Sequence, residues 1–449
     1  MKIIQFFNTD FSDLNWEFID SLRCFSRLKD TQQSTLWHKE GNVWEHTKLT
    51  VKEMKKVMEE VYDIDKGSDE WKILMMAALC HDLGKAETTT FDEKKKDYVT
   101  KNHGAAGERI TRSLLHDESI GIREIICYMV RHHMTLHHIF DSDGVDPKKL
   151  IKLSCGLATV RQMVILNHAD SLASINDVKT LDDINKDINQ IIVKSIELKC
   201  YDKVYEKVSS HELIARFNNS HTITLDRENP FDVYIMCGYP GSGKTTYAQK
   251  NHPDCPILSR DIIRYELGMT DENGKTVGSK TEEKEVTKIF NRRLYELCEK
   301  HQSFVIDNIN LKRAYRKEII NFLLAYDTTI IIEYVEAPTL EDCVKRREGQ
   351  IDRKVFAKMK QYFDFPQLYE CDILRFIKQT DKGEDVYGTL LGNLSLPFDT
   401  MVGVDEVVND LKNARDEMKL KGCYSFEGCQ LLYKCTEVMD KLIKKYESI

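Results

Sequence analysis

The apolar residues in the first half of the chain recur at helical spacing. Segments with apolar side chains three and four residues apart, and without alternating β-branched residues, predict helices. The predicted helices cover residues 16–28, 45–61, 70–81, 105–115, 122–131 and 157–175. Polar breaks separate some of them, at residues 63–68, 92–97 and 141–147. We therefore expect an all-α helical bundle in this half of the chain.

The pattern changes after residue 225. Residues 233–237 read VYIMC, a continuous apolar run typical of a buried strand. Similar runs follow at residues 256–259, 304–306 and 328–335. Helical stretches separate these runs, and strands that alternate with helices predict a parallel sheet with right-handed crossovers. The second half is therefore expected to be an α/β domain.

The two patterns give a multidomain organisation. We expect a helical domain at residues 1–200, a polar linker at 201–229 and an α/β domain at 230–380. Residues 381–449 extend the α/β domain with an unknown role, and their pattern predicts an amphipathic helix near residues 430–446. The length of 449 residues agrees with this division, since a domain averages roughly 150 residues.

Composition excludes several classes of protein. Hydrophobic residues at 41% and charged residues at 31% describe a folded chain, not a disordered one. A net charge of −8 excludes a polycation that coats nucleic acid or membrane, although a local basic pocket stays open. The 13 cysteines form no C-x-x-C pair and suit reduced core thiols. With neither a signal peptide nor an apolar run near the roughly 20 residues of a membrane span, we expect a cytoplasmic protein.

Histidine and aspartate residues recur in a set order in the helical half. His46 comes first, the adjacent pair His81 and Asp82 follows, and Asp170 comes last. Imidazole and carboxylate ligands that several helices bring into one bundle core suit a divalent cation. The order therefore indicates a metal site.

The pair His81 and Asp82 stands in the sequence HDLGK. Gly84 provides a break in the helix, which lets both side chains of the pair face one ion. Lys85 then provides a point charge for a phosphate oxygen that the metal holds. We interpret five other histidines of this half as structural: His38, His116, His137, His138 and His168.

These residues resemble the HD phosphohydrolase superfamily, whose order is H…HD…D with H-D-x-G-K at its centre. The segments HKEGNVWEHT (38–47), NHGAAG (102–107) and VRHH (130–133) resemble the version found beside bacterial transfer-RNA nucleotidyltransferases. The resemblance covers roughly residues 30–175.

The resemblance implies two divalent transition metals of open identity. The implied ligands of the first are His46, His81, Asp82 and Asp170; those of the second are His103 and one of the pair His132 and His133, for which we take His132. Such sites hydrolyse phosphomonoesters or phosphodiesters with water as the nucleophile.

A phosphate-binding loop opens the α/β domain. Residues 238–245 read GYPGSGKT, directly after a predicted strand and before a helix, which is the context that this motif requires. The Lys244 side chain reaches the terminal phosphates of a nucleotide, and the Thr245 hydroxyl binds Mg²⁺. The predicted nucleotide-binding residues are Gly238, Gly241, Ser242, Gly243, Lys244, Thr245 and Thr246.

Further candidate residues follow the next strands. Asp261 can accept the proton of an attacking hydroxyl, or it can simply cap a helix. Arg264, one turn later, is placed to face an acceptor phosphate. Asp307 ends a strand and suits the Mg²⁺ shell, and Arg346 and Arg347 are placed to close on the transferring phosphoryl group.

The motifs GxPGSGKT, SRDxxR and DNxN together resemble the kinase module of phage-type polynucleotide 5′-kinases, over about residues 230–350. The resemblance implies ATP with Mg²⁺ as donor, Asp261 as general base and Arg264 as a contact to the 3′ phosphate of the acceptor. It also implies Arg346 or Arg347 as the lid charge. The third motif of that family is richer in acids than the Asp307-Asn308 found here.

The combination resembles the bifunctional HD-domain/polynucleotide-kinase proteins of bacteria. RNA breakage by transesterification leaves a 2′,3′-cyclic or 3′ phosphate and a 5′-OH, whereas ligases commonly need a 3′-OH and a 5′ phosphate. We therefore expect an enzyme that heals RNA or DNA ends, with a separate ligase as a candidate partner. Two alternatives stay open: a nucleotidase fused to a small-molecule or nucleoside kinase, and a hydrolase regulated by an ATP-binding switch. The oligomeric state is also open.

Overall fold

The computed structural model describes most of the chain as one compact unit, Met1–Leu396. The described residues are 1–203, 205, 210–220, 229–271, 275–337, 339–380 and 383–390. The helix expected near residues 430–446, and most of the expected extension at 381–449, lie outside them. No helix within these ranges is both long enough and apolar enough to cross a bilayer.

The N-terminal part is helical, as predicted. Its helices are α1 (Trp16–Ser21), α2 (Arg23–Ser26), α3 (Val43–Glu60), α4 (Asp69–Cys80), α5 (Lys85–Thr88), α6 (His103–Leu114), α7 (Ile120–His132), α8 (Met134–His137), α9 (Pro147–Ser154), α10 (Val160–Ala173) and α11 (Leu181–Glu197). Short 3₁₀ helices lie at Ile3–Phe6 and Arg27–Asp30. Two small hairpins join them, β1 (Thr89–Asp92) with β2 (Asp97–Thr100) and β3 (Phe140–Asp141) with β4 (Gly144–Val145).

Helix α4 lies at the centre of the bundle. It packs against α3, α7 and α10, and its residues from Ile73 to Cys80 are all buried. Capping side chains fix where these helices begin: Asn42 accepts a hydrogen bond from Glu45 N at α3, and Ser68 accepts one from Trp71 N at α4. These helices therefore provide a rigid frame for the residues at their ends.

The helical pattern at residues 16–28 hides a break. Leu22 adopts an extended backbone conformation (φ −86°, ψ 125°), so the segment forms α1 and α2 with a corner between them. The predicted polar break at residues 92–97 is the turn of the β1–β2 hairpin.

The C-terminal part is an α/β domain built on a six-stranded sheet. Its strands are β5 (Phe231–Cys237), β6 (Ile257–Leu258), β7 (Phe304–Ile306), β8 (Thr328–Glu336), β9 (Ile373–Thr380) and β10 (Gly383–Leu390). The order is β10-β9-β8-β5-β7-β6, and within the described ranges every neighbouring pair is parallel except β10 with β9. The first four strands are those predicted; β9 and β10 were not predicted.

Helices connect these strands. They are α12 (Ser210–Asn218), α13 (Lys244–Asn251), α14 (Arg260–Glu266), α15 (Lys280–Glu299), α16 (Arg313–Leu323), α17 (Leu340–Arg346) and α18 (Arg353–Tyr362), with a 3₁₀ helix at Leu368–Glu370. Helix α12 lies within the expected linker. Its residues Leu213 and Ile214 are buried in the core of the sheet domain, which Ile120 and Cys155 of the helical part also join. Part of residues 201–229 is therefore a packed element and not a polar connection.

Buried charges lie where the two parts meet. Arg123 of α7 is fully buried, and its Nη2 lies 2.9 Å from Oε2 of Glu336, the last residue of β8. Arg123 Nε also donates to Glu124 Oε1 at 2.9 Å. Burial raises the pKa of the Glu336 carboxyl, but Arg123 outweighs it and lowers the pKa to about 2. The pairing therefore keeps both groups charged inside the protein.

Candidate metal centre and kinase site

Two imidazoles and two carboxylates converge at the ends of α3, α4 and α10. The Nε2 atoms of His46 and His81 lie 3.4 Å apart. Asp170 Oδ1 lies 2.9 Å from His46 Nε2 and 3.5 Å from His81 Nε2. Asp82 Oδ2 lies 3.3 Å from His81 Nε2. The structure thus brings together the four residues predicted to bind the first metal.

A second group adjoins the first and shares Asp82 with it. The other carboxylate oxygen, Oδ1, lies 3.5 Å from His103 Nε2 and 3.7 Å from His133 Nε2. The Nε2 atoms of His103 and His133 are 3.0 Å apart. Asp82 therefore presents one oxygen to each group, an arrangement suited to a carboxylate that bridges two ions.

The structure corrects the choice of His132 as a ligand. The Nε2 of His132 lies 3.2 Å from Gln367 Oε1, and its ring packs on Tyr128 at a centroid distance of 4.5 Å. Neighbouring residues of a helix point about 100° apart, so only one of the two histidines can face the cluster. At the end of α7 that residue is His133.

The orientation of the rings suits metal binding. The Nδ1 atoms of His81 and His133 lie 2.8 Å from Ala78 O and 2.7 Å from Val130 O, the carbonyls three residues earlier. A backbone carbonyl only accepts, so each Nδ1 carries a proton, and this bond turns each Nε2 toward the cluster as the atom that a cation would bind. The His46 Nδ1 lies 2.8 Å from Glu40 Oε1, which fixes that ring in the same way.

Sequence reasoning missed Glu40 and misassigned His38 and His137 as merely structural. The His38 Nδ1 shares the Glu40 Oε1 with His46, also at 2.8 Å. Burial raises the pKa of the Glu40 carboxyl, but the hydrogen bonds from His38 and His46 outweigh burial and lower this pKa to about 2. His137 Nε2 lies 2.8 Å from Asp170 Oδ2. The signals were the H-x-E spacing before His46 and a histidine one helical turn after His133.

Two glycines allow the second group to form. A Cβ on Gly84 would lie 1.9 Å from His103 O, and a Cβ on Gly104 would lie 2.4 Å from Arg131 O. Any side chain at either position would force the backbones apart. These glycines therefore bring the start of α6, with His103, against both Asp82 and the end of α7.

Burial and charge make the centre suitable for cations. The six clustered residues are at most 8% exposed. The candidate ligand atoms of His46, His81 and Asp170 lie within 4.8 Å of one another, and so do those of Asp82, His103 and His133. Burial lowers the pKa of His81, but the negative charges of Asp82 and Asp170 outweigh burial and raise this pKa to about 10. For His103, burial dominates and lowers the pKa to about 4. Lys85 Nζ lies 2.7 Å from Asp82 Oδ2 and donates to Gln33 Oε1 at 3.2 Å. The carboxylates thus attract positive charge, and His103 is a neutral ligand.

The predicted phosphate loop joins β5 to α13. Gly238 and Gly243 have φ values of 149° and 101°, which side-chain-bearing residues rarely adopt, and a Cβ on Gly238 would lie 2.6 Å from Val335 O. Lys244 is buried and donates to Tyr239 O at 2.8 Å. Ser242 is buried, whereas Thr245 and Thr246 are exposed. The loop therefore has the fold of a phosphate cradle.

Thr245 and Asp307 provide neighbouring oxygens beside this loop. The Thr245 hydroxyl donates to Asp307 Oδ2 at 2.6 Å, and burial raises the pKa of Asp307. Burial likewise lowers the pKa of Lys244. Oxygen ligands and a nearby lysine fit a Mg²⁺–phosphate complex, so the pair is suited to the predicted Mg²⁺ role.

Asp261 lies at the start of α14, but it is not the cap of that helix. The cap is Ser259, whose hydroxyl accepts a hydrogen bond from Asp261 N at 3.2 Å. The Asp261 side chain is 85% exposed, and its Oδ1 lies 2.6 Å from Arg264 Nη1. Arg264 also donates to both oxygens of Glu283, at 2.7 Å and 3.1 Å. The carboxylate is thus free of a capping role.

One cavity of about 1240 Å³ joins these groups. Its walls include Lys244, Thr245 and Asp307 on the donor side and Asp261 and Arg264 on the acceptor side.

The two candidate lid arginines differ in position. Arg347 lines the same cavity and donates to Gln350 Oε1 at 2.8 Å. Arg346 donates instead to Gly241 O of the phosphate loop, at 3.0 Å. Arg347 is therefore the better placed of the two to reach a substrate.

Comparisons with known proteins agree with this division. The HD domain family matches residues 43–175, and the AAA domain family matches residues 233–366.

Three solved structures resemble parts of the chain. A candidate kinase from Chloroflexus aurantiacus is 18% identical, with a TM-score of 0.28, over 34% of this chain and 88% of its own. The Pnkp1/Rnl/Hen1 complex contains a chain that is 22% identical, with a TM-score of 0.25, over 32% of this chain and 47% of its own. The AvrRxo1-ORF1:AvrRxo1-ORF2 complex with ATP contains a chain that is 14% identical, with a TM-score of 0.28, over 52% of this chain and 80% of its own. Likeness at this level identifies no activity.

The family matches coincide with the two sites. The first covers the histidine–aspartate clusters, where such domains hold divalent metals, and the second covers the phosphate loop, where a kinase holds ATP with Mg²⁺. The chain is therefore an HD phosphohydrolase domain followed by a P-loop kinase domain of the AAA type.

Proposed function

We propose that this protein heals nucleic-acid ends, removing a 3′ phosphate or 2′,3′-cyclic phosphate in the HD domain and phosphorylating a 5′-OH in the kinase domain. The observation that carries the proposal is the kinase cavity, which is lined by residues of the phosphate loop and also by an exposed carboxylate, Asp261, that caps no helix. An ATP-binding switch needs no such base, whereas a kinase that acts on a hydroxyl does. The two activities together convert a broken end into a substrate for ligation.

In the HD domain, His46, His81 and Asp170 would hold one cation and His103 and His133 the other, with Asp82 between them. When bound, two such cations activate a water and stabilise the attacking and leaving oxygens of a phosphoester. The chain's own groups do the rest. Glu40 and the two backbone carbonyls hold the rings, and Lys85 offers a positive charge to a phosphate oxygen.

In the kinase domain, Lys244 would neutralise charge on the terminal phosphates of ATP, and Thr245 and Asp307 would hold Mg²⁺. Asp261 would accept the proton of the acceptor hydroxyl as its oxygen bonds to the γ-phosphorus, while the bond from that phosphorus to the β–γ bridging oxygen breaks and ADP leaves. Arg264, held by Glu283, faces the acceptor, and Arg347 approaches the transferring group. Backbone N–H groups from Gly238 to Thr246 orient the phosphates.

A second candidate is a nucleotidase joined to a nucleoside or metabolite kinase. The depth of the metal centre favours this candidate, because a small phosphoester reaches buried residues more easily than the end of a strand does. The third reading, a hydrolase regulated by ATP, draws support from the buried ion pair between Arg123 and Glu336. It leaves Asp261 without a role.

The test is a labelled strand that carries a 5′-OH and a 3′ phosphate, incubated with the full chain, ATP and a divalent metal. We expect both ends to be converted. His81→Ala should abolish only the 3′ reaction and Lys244→Ala only the 5′ reaction. Conversion of mononucleotides and nucleosides with no reaction on the strand would favour the second candidate. ATP hydrolysis without any acceptor product would favour the third.

A further inference from the structure

The kinase cavity extends well beyond the residues that handle phosphate. Its volume is about 1240 Å³, and the lysine, threonine and aspartate around the phosphate loop are only a small part of its lining. Pockets for a single ligand commonly measure roughly 300–1000 Å³. The cavity therefore has room for an acceptor beside the nucleotide donor.

Helix α14 carries the candidate base and an aromatic ring on one face. Asp261, Arg264 and Tyr265 stand at positions i, i+3 and i+4, and all three line the cavity. Tyr265 is 77% exposed. Its ring lies about one helical turn, roughly 5.4 Å along the axis, from the carboxylate. An acceptor whose hydroxyl reaches Asp261 therefore passes this ring.

The wall contributed by α16 is also aromatic and apolar. Tyr315, Ile319 and Phe322 recur at i, i+4 and i+7 and line the cavity. Tyr315 is 52% exposed, and Lys312 Nζ lies 5.4 Å from the centre of its ring. Phe290 and Leu294 of α15 also line the cavity. Positive charge thus lies beside an exposed ring of the cavity wall.

This composition suits a nucleobase better than a phosphorylated sugar. A sugar phosphate needs free cationic groups, yet of the two α14 arginines that line the cavity Arg264 is held by Glu283 and Asp261, and Arg260 Nη1 donates to Thr287 Oγ1 at 2.9 Å. Nucleobases, in contrast, stack on aromatic side chains whatever their sequence, and single-stranded substrates combine such stacking with scattered positive charge. The cavity walls contributed by α14 and α16 offer aromatic rings, and Lys312 beside Tyr315 adds positive charge.

We propose that Tyr265, with Tyr315 on the wall contributed by α16, stacks on the nucleobases next to the 5′ end of a single-stranded acceptor. These rings then make the kinase domain select a strand over a mononucleoside or a sugar. The inference rests on the proposed 5′-kinase function and assigns its substrate class. Neither tyrosine takes part in phosphoryl transfer, so both act on acceptor affinity and leave turnover unchanged.

The experiment compares wild type, Tyr265→Ala, Tyr265→Phe and Tyr315→Ala in the full chain. Each is assayed with a 5′-OH oligonucleotide and with the same strand made abasic at its first two positions. Tyr295→Ala is the matched control, because Tyr295 is 51% exposed on α15 and lies outside the cavity lining. The KM for ATP reports whether each variant keeps its donor site.

We expect Tyr265→Ala to raise the KM for the normal strand about tenfold, from the usual value of one base–aromatic stack. Tyr265→Phe should restore it, Tyr315→Ala should raise it less, and Tyr295→Ala should leave it unchanged. On the abasic strand, wild type and Tyr265→Ala should have the same high KM. Equal KM values for wild type and Tyr265→Ala on the normal strand would overturn the inference. If wild type phosphorylates no 5′-OH strand, the proposed kinase function itself fails. That result differs from equal KM values, which would overturn only the role of the tyrosines.

Discussion

The metal centre and the kinase site differ in how completely each is assembled. Every clustered ligand of the HD domain is buried, and its ring nitrogens already face the carboxylates. In the kinase domain only the donor half is like this: Lys244 and Asp307 are 7% and 8% exposed, whereas the Asp261 side chain is 85% exposed. A hydrolase needs only a phosphoester and water, so its site can be rigid beforehand. A kinase must admit two substrates and then exclude water, so its acceptor half stays open.

The largest change that tests this difference is Asp261→Asn. The amide cannot take the proton of the acceptor, so turnover of the kinase should fall by about 10²–10⁴-fold, the usual contribution of a general base. The KM for ATP and the phosphohydrolase reaction should stay as in wild type, because the donor half and the HD domain are separate from this carboxylate. Steady-state kinetics with each substrate measures this. Glu266→Gln, on the same helix, is the control, and an equal loss there would contradict the role.

Asp82→Asn removes the carboxylate that both metal groups share. We expect the phosphohydrolase to lose more than the roughly 10–100-fold that outer positions of a metal site contribute. Metal content per chain should fall from two to one or none, while the kinase reaction continues. Elemental analysis and a phosphatase assay measure these effects, with the exposed Asp177→Asn as the matched control. Retention of both metals by Asp82→Asn would remove the bridging role.

Glu40→Gln alters a group that holds a ligand without facing the cluster itself. The neutral amide no longer stabilises the Nδ1 proton of His46, so affinity for metal should fall by about 10–100-fold. Titration of the protein with Mn²⁺, followed by calorimetry, gives the affinity independently of activity. His38→Ala should have a smaller effect, since His38 bonds to Glu40 and only packs its ring on that of His46. Unchanged affinity in Glu40→Gln would mean that the backbone carbonyls alone orient the centre.

Among these four variants, Glu336→Gln should have the smallest effect on the turnover of either reaction and the largest effect on the free energy of unfolding. It leaves Arg123 with Glu124 as its charged partner, so the loss of free energy of unfolding should stay below the about 3–5 kcal/mol that breaking an isolated buried pair costs. Urea unfolding should show the loss in the signals of both domains together. Glu341→Gln, whose partner Arg353 is exposed, should change little. Separate transitions for the two domains would show that the boundary carries little of the stability.

Sequence patterns predicted the interior of the molecule best. Strands β5 and β8 are buried on both faces, so their apolar runs were visible directly. Strand β9 alternates apolar residues with Arg375 and Lys378, and its pairing with β8 depends on a long return of the chain that no local pattern records. Helix α12 was hidden because it is short and because two of its buried residues, His211 and Asn218, are polar.

The metal centre shows a similar limit. The motif identified His46, His81, Asp82 and Asp170, because their order along the chain reflects the helices that carry them. It could not choose between His132 and His133, since that choice depends on the rotation of the last turn of α7. The contact of His137 with Asp170 joins residues 33 positions apart in the chain, and only the packing of α8 against α10 brings them together.

Helix α7 contacts both parts of the molecule. Arg123, near its start, pairs with the end of β8, and His133 directly follows its last residue. The helix has 13 residues and so is about 20 Å long, too short and too well packed to bend between these points. Chain that leaves β8 continues into α17 and its arginines. The end of β8 is therefore joined by a buried ion pair to the helix that leads to His133, and by the chain itself to α17.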